Sequence, residues 1–247
     1  MGTVYEDGLL VPTDLKQAVD YYKRAMERGE SYASYRFAMC LIEGKLNNKV
    51  MRREDVEKGH KMLESIAGGS KNVCGEALAE LGEIYELGHF KCDSQKVYTI
   101  KADPVKAANY YNKARSMCLA RASNNLGVLH LNQKISQRET HSEITNQSQL
   151  DGKIMSYLQE SSEAGFSEAF YNLGMVYSKG LVGQKRSEEA LRMFYEGAVK
   201  KDFKCKVKFA YELMNQTSIM KEEYEDNYHL ALQWLESVVR RLTFRDD

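Results

Sequence analysis

A pattern of small residues recurs six times along this 247-residue chain, and it constrains the fold more than any other feature. The clearest copy is AFYNLGMVYSKG over residues 169–180, which is centred on a glycine. The residues at the central position of the six copies are Gly2, Ala38, Gly82, Gly127, Gly174 and Ala210. Successive copies are therefore 36, 44, 45, 47 and 36 residues apart. A spacing in this range predicts a solenoid of stacked repeats rather than a domain with one central core.

The first half of each repeat predicts a helix with one apolar stripe. Counted from the central residue, small or apolar side chains fall at positions −5, −1, +2 and +3, as at Ala169, Leu173, Val176 and Tyr177. A glycine inside a helix costs about 1 kcal/mol relative to alanine, so its repeated use indicates close contact with a neighbouring helix. A glycine at position +6 is expected to end the helix, at Gly8, Gly44, Gly88 and Gly180. The packing is expected to be clearest at Ala77, Gly82, Gly88, Gly127, Ala169, Gly174, Tyr177 and Gly180.

The second half of each repeat predicts another helix that packs on the first. In three repeats it opens with an acidic cap, at Asp14, Asp55 and Asp103, and Pro104 suits the first helical position. Bulky pairs follow within about two turns, at Tyr21–Tyr22, Met62–Leu63, Tyr110–Tyr111, Met193–Phe194 and Trp234–Leu235. Each repeat is therefore expected to be a helix hairpin that buries its apolar faces only by stacking on its neighbours.

The first-helix pattern, combined with DPVKAANYYNKA over residues 103–114, resembles the Sel1-like repeat, a relative of the tetratricopeptide repeat. The resemblance covers residues 2–240 and implies an all-α, right-handed α-solenoid of stacked antiparallel hairpins, with the first repeat truncated. We expect one array over residues 1–247, with repeats at roughly 1–29, 30–69, 74–118, 119–165, 166–201 and 203–241. The fourth and sixth repeats depart from the pattern, at His130, Gln133, Ile154, Ala210 and Leu213.

Three polar insertions lie between the two helices of repeats two, three and four, over residues 45–54, 89–102 and 133–149. They have no apolar period and are expected to be exposed loops, either passive or in contact with a partner. The chain begins one residue before the central glycine of its first repeat. We therefore expect either a fragment of a longer protein or an end that another chain covers.

Charge and cysteine content bear on the class of partner and on the cellular compartment. Lysine plus arginine equals aspartate plus glutamate at 35 each, so no overall bias towards nucleic acid is expected. The sequence has no apolar run long enough to insert in a membrane and no signal peptide at its start, which favours the cytoplasm. The cysteines are odd in number and form no CxxC pair, which favours a reducing compartment, at Cys40, Cys74, Cys92, Cys118 and Cys205. Two glycosylation sequons, at Asn146 and Asn215, leave the endoplasmic-reticulum lumen as the alternative.

Catalytic signatures are weak. Some bacterial proteins of the Sel1-like type have been linked to penicillin binding, and Ser218-Ile-Met-Lys221 fits one element of that enzyme signature, but its two companion motifs do not occur. His89 and Cys92 have the spacing of half a metal site, yet the second pair is missing. We therefore predict no enzyme activity, no metal and no cofactor. A reader of single-stranded RNA built on helical repeats is a third possibility, which the balanced charge disfavours.

Positions −3, −2 and +1 of each first helix lie away from the apolar stripe and are expected to face outwards. They hold aromatic, methionine, amide and charged side chains, which are typical of protein-binding surfaces. The predicted binding row comprises Tyr35, Arg36, Met39, Glu80, Glu83, Asn124, Asn125, Val128, Tyr171, Asn172, Met175, Lys208 and Tyr211. This row predicts a non-catalytic scaffold or adaptor for protein or peptide partners. The resemblance implies two settings, cytosolic assembly or an adaptor for quality control in the endoplasmic reticulum.

Overall fold

The computed structural model of this chain describes residues 1–8, 10–47, 52–69, 73–89, 99–139 and 147–215, together with 229, 232–234 and 236. These residues contain no β-strand, and one isolated bridge joins His89 to Thr99. Their helices are α1 (Gly2–Asp7), α2 (Leu15–Met26), α3 (Ser31–Ile42), α4 (Arg53–Gly68), α5 (Gly75–Leu87), α6 (Pro104–Ser116), α7 (Ala120–Glu139), α8 (Gln147–Glu163), α9 (Ser167–Lys179), α10 (Ser187–Val199) and α11 (Phe203–Asn215). The predicted all-α class is confirmed for this part of the chain.

Consecutive helices pack in pairs, as the hairpin pattern predicts. Pairs form between α1 and α2, α3 and α4, α5 and α6, and α9 and α10. The chain divides into two compact units, Met1–Ala122 and Ser123–Asp247, which we call the N-terminal unit and the C-terminal unit. The boundary falls inside α7, and each unit is described by itself.

In the N-terminal unit, small residues let the two helices of a hairpin touch. A methyl group on Gly82 would lie less than 3.0 Å from the ring of Tyr111, and Gly2 meets the ring of Tyr22 in the same way. Repeat two has Ala38 at the central position instead of glycine, and its close contact is made from the second helix. There a Cβ on Gly59 would lie 2.8 Å from the carbonyl oxygen of Ala38. In repeat two the glycine therefore lies on the second helix instead of the first, and the two helices still approach closely.

The C-terminal unit is built on the same contact with different bulky residues. Phe194 of α10 lies against Gly174, and Leu158 of α8 lies against Gly127. Both large side chains are completely buried. The stripe of α9 is buried as well, at Ala169, Leu173, Val176 and Tyr177. Because aromatic and leucine side chains fill the same space, the repeat keeps its geometry when the residue type changes.

The ends of the first helices depend on the residue at position +6. Glycine is present there in four repeats, and its φ lies between 61° and 69°, a left-handed conformation that other residues adopt only at a cost, at Gly8, Gly44, Gly88 and Gly180. In repeat four Gln133 takes this place, and α7 continues to Glu139. The predicted loop over 133–149 is therefore wrong at both ends, because no glycine stops α7 and α8 already begins at Gln147; residues 140–146 lie outside the described residues.

The other predicted loops are described only in part. Residues Lys45–Asn47 form a single turn of 3-10 helix, and residues 48–51 and 90–98 lie outside the described residues. The predicted caps are confirmed at Asp14 and Asp103, whose carboxylates accept 3.0 Å bonds from backbone amides three residues later. The predicted cap at Asp55 is wrong. Helix α4 begins at Arg53, so Asp55 lies inside its first turn, where its charge still favours the helix start.

Candidate binding surface

Within each unit, the first helices of successive hairpins are neighbours. Helix α3 contacts α5 in the N-terminal unit, and α9 contacts α11 in the C-terminal unit. Helix α7 reaches α9 through a 2.8 Å bond from the amide nitrogen of Asn172 to Asn124 Oδ1. The predicted row therefore runs across adjacent helices inside each unit, although its members differ widely in exposure.

Two residues of the row do not face outwards as expected. Tyr35 is only 7% exposed and Asn124 only 2% exposed. Tyr35 packs in an apolar cluster with side chains of α4 and α5. Burial raises the pKa of the Tyr35 hydroxyl to about 12, and the nearby carboxylate of Glu80 adds to this. Both side chains therefore lie beneath this surface rather than on it.

The carboxylates of the N-terminal row are held by an arginine that the sequence analysis did not single out. Arg121 Nη1 lies 3.6 Å from a carboxylate oxygen of Glu80 and 3.6 Å from one of Glu83. Its Nη2 also donates a 3.4 Å bond to the carbonyl oxygen of Glu76. Burial by itself lowers the pKa of Arg121, but the two carboxylates outweigh it and raise that pKa. Arg121 lies six residues before the central glycine, and nothing in the repeat pattern indicates that this position contacts the row.

A second set of paired charges surrounds Glu6, which the sequence analysis also missed. Its carboxylate is 5% exposed and accepts bonds from the Tyr22 hydroxyl at 2.6 Å, from Lys45 Nζ at 2.8 Å and from Arg36 Nε at 3.1 Å. Burial alone would raise the pKa of Glu6. The bonds from Arg36, Lys45 and Tyr22 are stronger, and they lower this pKa from 4.5 to about 2. Arg36, a member of the predicted row, is therefore already paired inside the protein.

A similar contact between tyrosine and glutamate recurs two hairpins later. The Tyr111 hydroxyl donates a 2.8 Å bond to Glu86, which stands at the same repeat position as Glu6. The remaining member of the N-terminal row, Met39, is half-buried and packs on the core. The N-terminal row therefore consists of a buried ring, a methionine at the core edge and charges that satisfy one another.

The C-terminal row carries amides, rings and lysines. Asn172 donates to Asn124, and Asn124 in turn donates a 3.3 Å bond to Asn125. Tyr171 and Met175 are half-buried and pack against the core, whereas the side chain of Tyr211 is 58% exposed. This part of the row presents polar amides beside an accessible aromatic ring.

Lysines of α11 lie over the aromatic rings of the C-terminal row. Lys208 Nζ is 5.3 Å from the ring centre of Tyr211, and Lys204 Nζ is 5.5 Å from that of Tyr171. Lys204 also lies 3.3 Å from a carboxylate oxygen of Glu168. Positive charge and aromatic surface thus coincide on this face of the C-terminal unit.

The described residues contain no group of three or more histidine, cysteine or acidic side chains placed to hold a metal ion. Cys92 and the Ser218–Lys221 motif, which the sequence analysis considered, lie outside the described residues. His130 replaces a tyrosine of the repeat and stacks on Tyr157 at 5.9 Å, which gives it a packing role. Within the same described part, no helix is long and apolar enough to cross a membrane.

Comparison with known proteins identifies the class of this fold. The model of the Sel1 repeat matches residues 1–30, 75–117, 167–202 and 210–237, which together make up more than half of the chain. A solved Sel1 repeat protein from Oxalobacter formigenes superposes with a TM-score of 0.68 at 17% identity, over 97% of this chain and 85% of the other. The fold is therefore that of the helical-repeat solenoids.

The chain belongs to the Sel1 repeat family, whose members are generally protein-interaction scaffolds. A protective antigen from uropathogenic Escherichia coli strains, described as having an SLR fold, superposes with a TM-score of 0.41 at 22% identity, over 97% of this chain and 52% of the other. A search of curated proteins finds no match.

Proposed function

We propose that this chain is a non-catalytic scaffold that holds a protein or peptide partner on the first helices of its repeats. The surface features that support this are the half-buried amides of Asn125 and Asn172, both bonded to the buried Asn124, and the accessible ring of Tyr211 beside Lys208. Aromatic side chains and amides of this kind contribute much of the affinity at protein interfaces, because rings bury a large area at a small entropic cost.

The single observation that carries the proposal is the exposure of Tyr211. Burying an aromatic ring in the core is favourable, so a ring that remains 58% exposed forgoes that gain. An exposed ring flanked by a lysine and next to a helix that bears half-buried amides has the chemistry of a binding anchor.

The test is to locate the contact surface by photo-crosslinking in native cells. A photoreactive phenylalanine analogue replaces Tyr211 or Asn172 on the first helices, and it replaces the exposed Glu188 on α10 as a matched control. We expect the same partner protein to be crosslinked from Tyr211 and Asn172 and not from Glu188. Crosslinking from Glu188 alone, or equally from all three positions, would contradict the proposal.

The proposed location is the cytoplasm. Cys40 and Cys205 are buried free thiols, and burial raises the pKa of Cys40 to about 11, so both act as small apolar residues. Free buried cysteines are compatible with a reducing compartment. Attachment of an N-linked glycan to the chain in its native cell would show a lumenal location instead.

A further inference from the structure

The two units differ in how their first-helix surfaces use charge. In the N-terminal unit, Glu6 binds Arg36 and Lys45, while Glu80 and Glu83 share Arg121. These side chains are at least half-buried, and both partners of each ion pair lie within the N-terminal unit. A partner would have to break such pairs before it could use the charges, and breaking a buried pair leaves an uncompensated charge behind.

The C-terminal unit has a cation of a different kind. Lys208 lies over Tyr211, and among the described residues no carboxylate is paired with it. The ring face attracts the ammonium group but does not neutralise it. Within the described part of the chain, Lys208 therefore offers a positive charge that lies over a ring and is paired with no carboxylate.

The amides beside this lysine can bind a peptide backbone. Asn172 uses one amide hydrogen on Asn124, and its second hydrogen and its Oδ1 have no partner within the described part of α9 and its neighbours. One donor and one acceptor on the same side chain match the N–H and C=O of an extended chain. Met175, one turn from Tyr171 on the same helix, adds polarizable apolar surface.

From this arrangement we propose that the first-helix surface of the C-terminal unit binds an extended acidic segment of another protein, with an aromatic or aliphatic side chain next to its carboxylates. The carboxylates meet Lys208, the apolar side chain packs on Tyr211, and the backbone bonds to Asn172. This inference rests on the proposed scaffold function and adds the chemistry of the partner and the unit that binds it.

The experiment selects linear peptides from a random display library against the intact chain and measures binding of the enriched peptides by fluorescence anisotropy. We expect enrichment of aspartate and glutamate beside aromatic or large aliphatic residues. We also expect about tenfold or greater weakening by Lys208→Glu and by Tyr211→Ala, since either change removes a contact of hot-spot type. A peptide in which glutamine replaces each glutamate should bind the unaltered chain about as weakly as the acidic peptide binds these two variants.

The matched control lies in the N-terminal unit. Lys16→Glu makes the same charge reversal as Lys208→Glu at an exposed position of α2, which is not a first helix, and binding should stay within about twofold. Each variant is checked for unchanged helical content by circular dichroism. Affinity that falls with ionic strength for the acidic peptide, and not for its glutamine version, would support the role of charge.

Three outcomes would overturn the inference. Enriched peptides could be basic or uncharged, Lys16→Glu could weaken binding as much as Lys208→Glu, or selection could yield no peptide. If crosslinking still occurs from Tyr211 in any of these cases, the scaffold function stands and only the chemistry of the partner is wrong. Self-association that Tyr211→Ala abolishes would instead identify a second copy of this chain as the occupant.

Discussion

The ring of Tyr111 lies directly against Gly82, in the space that a larger residue at position 82 would need. Its hydroxyl donates a 2.8 Å bond to Glu86, one helical turn further along α5. Tyr111 is completely buried, so the glycine determines how closely α5 and α6 approach and where the hydroxyl can reach. One missing side chain thus provides both the apolar contact and the polar one.

Replacing Gly82 with alanine should destabilise the protein. The new methyl group would meet the Tyr111 ring, and overpacking of this kind costs about 1 to 3 kcal/mol. The gain of about 1 kcal/mol from alanine in a helix offsets part of this cost. Urea unfolding followed by circular dichroism measures the free energy of unfolding. The control is Gly152→Ala in α8, where a Cβ meets no atom within 4 Å and should be neutral or stabilising. Equal stability of Gly82→Ala and the unaltered chain would contradict this account of the repeat.

Replacing Glu6 with glutamine should weaken the N-terminal unit by about 1.5 to 3 kcal/mol. The change removes the charge that Arg36, Lys45 and Tyr22 share, and bonds to charged groups are worth about this much. The exposed neighbour Asp7 provides the control, since Asp7→Asn should alter stability by no more than about 0.5 kcal/mol.

The Glu6 effect should depend on pH. Because folding lowers the pKa of Glu6 from 4.5 to about 2, its stabilisation is complete above pH 4.5 and is lost as the pH falls towards 2. The difference in unfolding free energy between the unaltered chain and Glu6→Gln should therefore shrink between about pH 5 and about pH 3. A difference that stays constant over this range would show that the charge of Glu6 has no part in it.

Replacing the two partners of the buried ion pair between Lys134 and Asp151 should reduce the stability of the protein by unequal amounts. Lys134 is 0% exposed, whereas Asp151 is half-buried. Asp151→Asn leaves a buried ammonium group without its carboxylate and should cost about 3 to 5 kcal/mol. Lys134→Met leaves a carboxylate that water can still reach, so its cost should be smaller. A double variant completes the thermodynamic cycle, and a coupling energy near zero would contradict a direct pair.

Local features of the fold could be predicted from the sequence because they depend on neighbours within one hairpin. The stripe from Ala169 to Tyr177 and the helix end at Gly180 are examples, since both follow from helix geometry and glycine conformation. The longer α7 could in principle have been inferred from Gln133, which puts a good helix former where four other repeats have the stop glycine.

The surface was less predictable, because exposure depends on how closely neighbouring first helices approach. Helical register correctly indicates that Tyr211 faces away from the core, but it cannot indicate that Tyr35 is buried in a cluster with side chains of α4 and α5. The contact between Glu6 and Arg36 joins residues 30 positions apart in different hairpins. Pairs of this kind follow from how the hairpins stack, which the spacing of residues along a single sequence does not reveal.

Replacing His130 with tyrosine should make the protein less sensitive to mild acid. His130 occupies the position that tyrosine holds in repeats one, three and five, at Tyr5, Tyr85 and Tyr177. Burial lowers the pKa of His130 below 6.5, and the nearby charge of Lys153 lowers it further, although a bond to Gln133 acts the other way. Folding therefore favours the neutral ring, so stability is retained above about pH 6.5 and falls as the pH drops towards the lowered pKa.

The measurement is the free energy of unfolding at several values between about pH 7.5 and about pH 5. A tyrosine at position 130 can keep the stacking on Tyr157 without binding a proton, so the decline in stability should be shallower in His130→Tyr. Some decline should remain, because burial also lowers the pKa of His60, which lies near Glu64 and Tyr85. At about pH 8 the histidine is neutral in both the folded and the unfolded state, so the difference in unfolding free energy between the two proteins there reports packing alone. Parallel curves over the whole range would show that His130 takes up no proton on unfolding and that its burial has no electrostatic consequence.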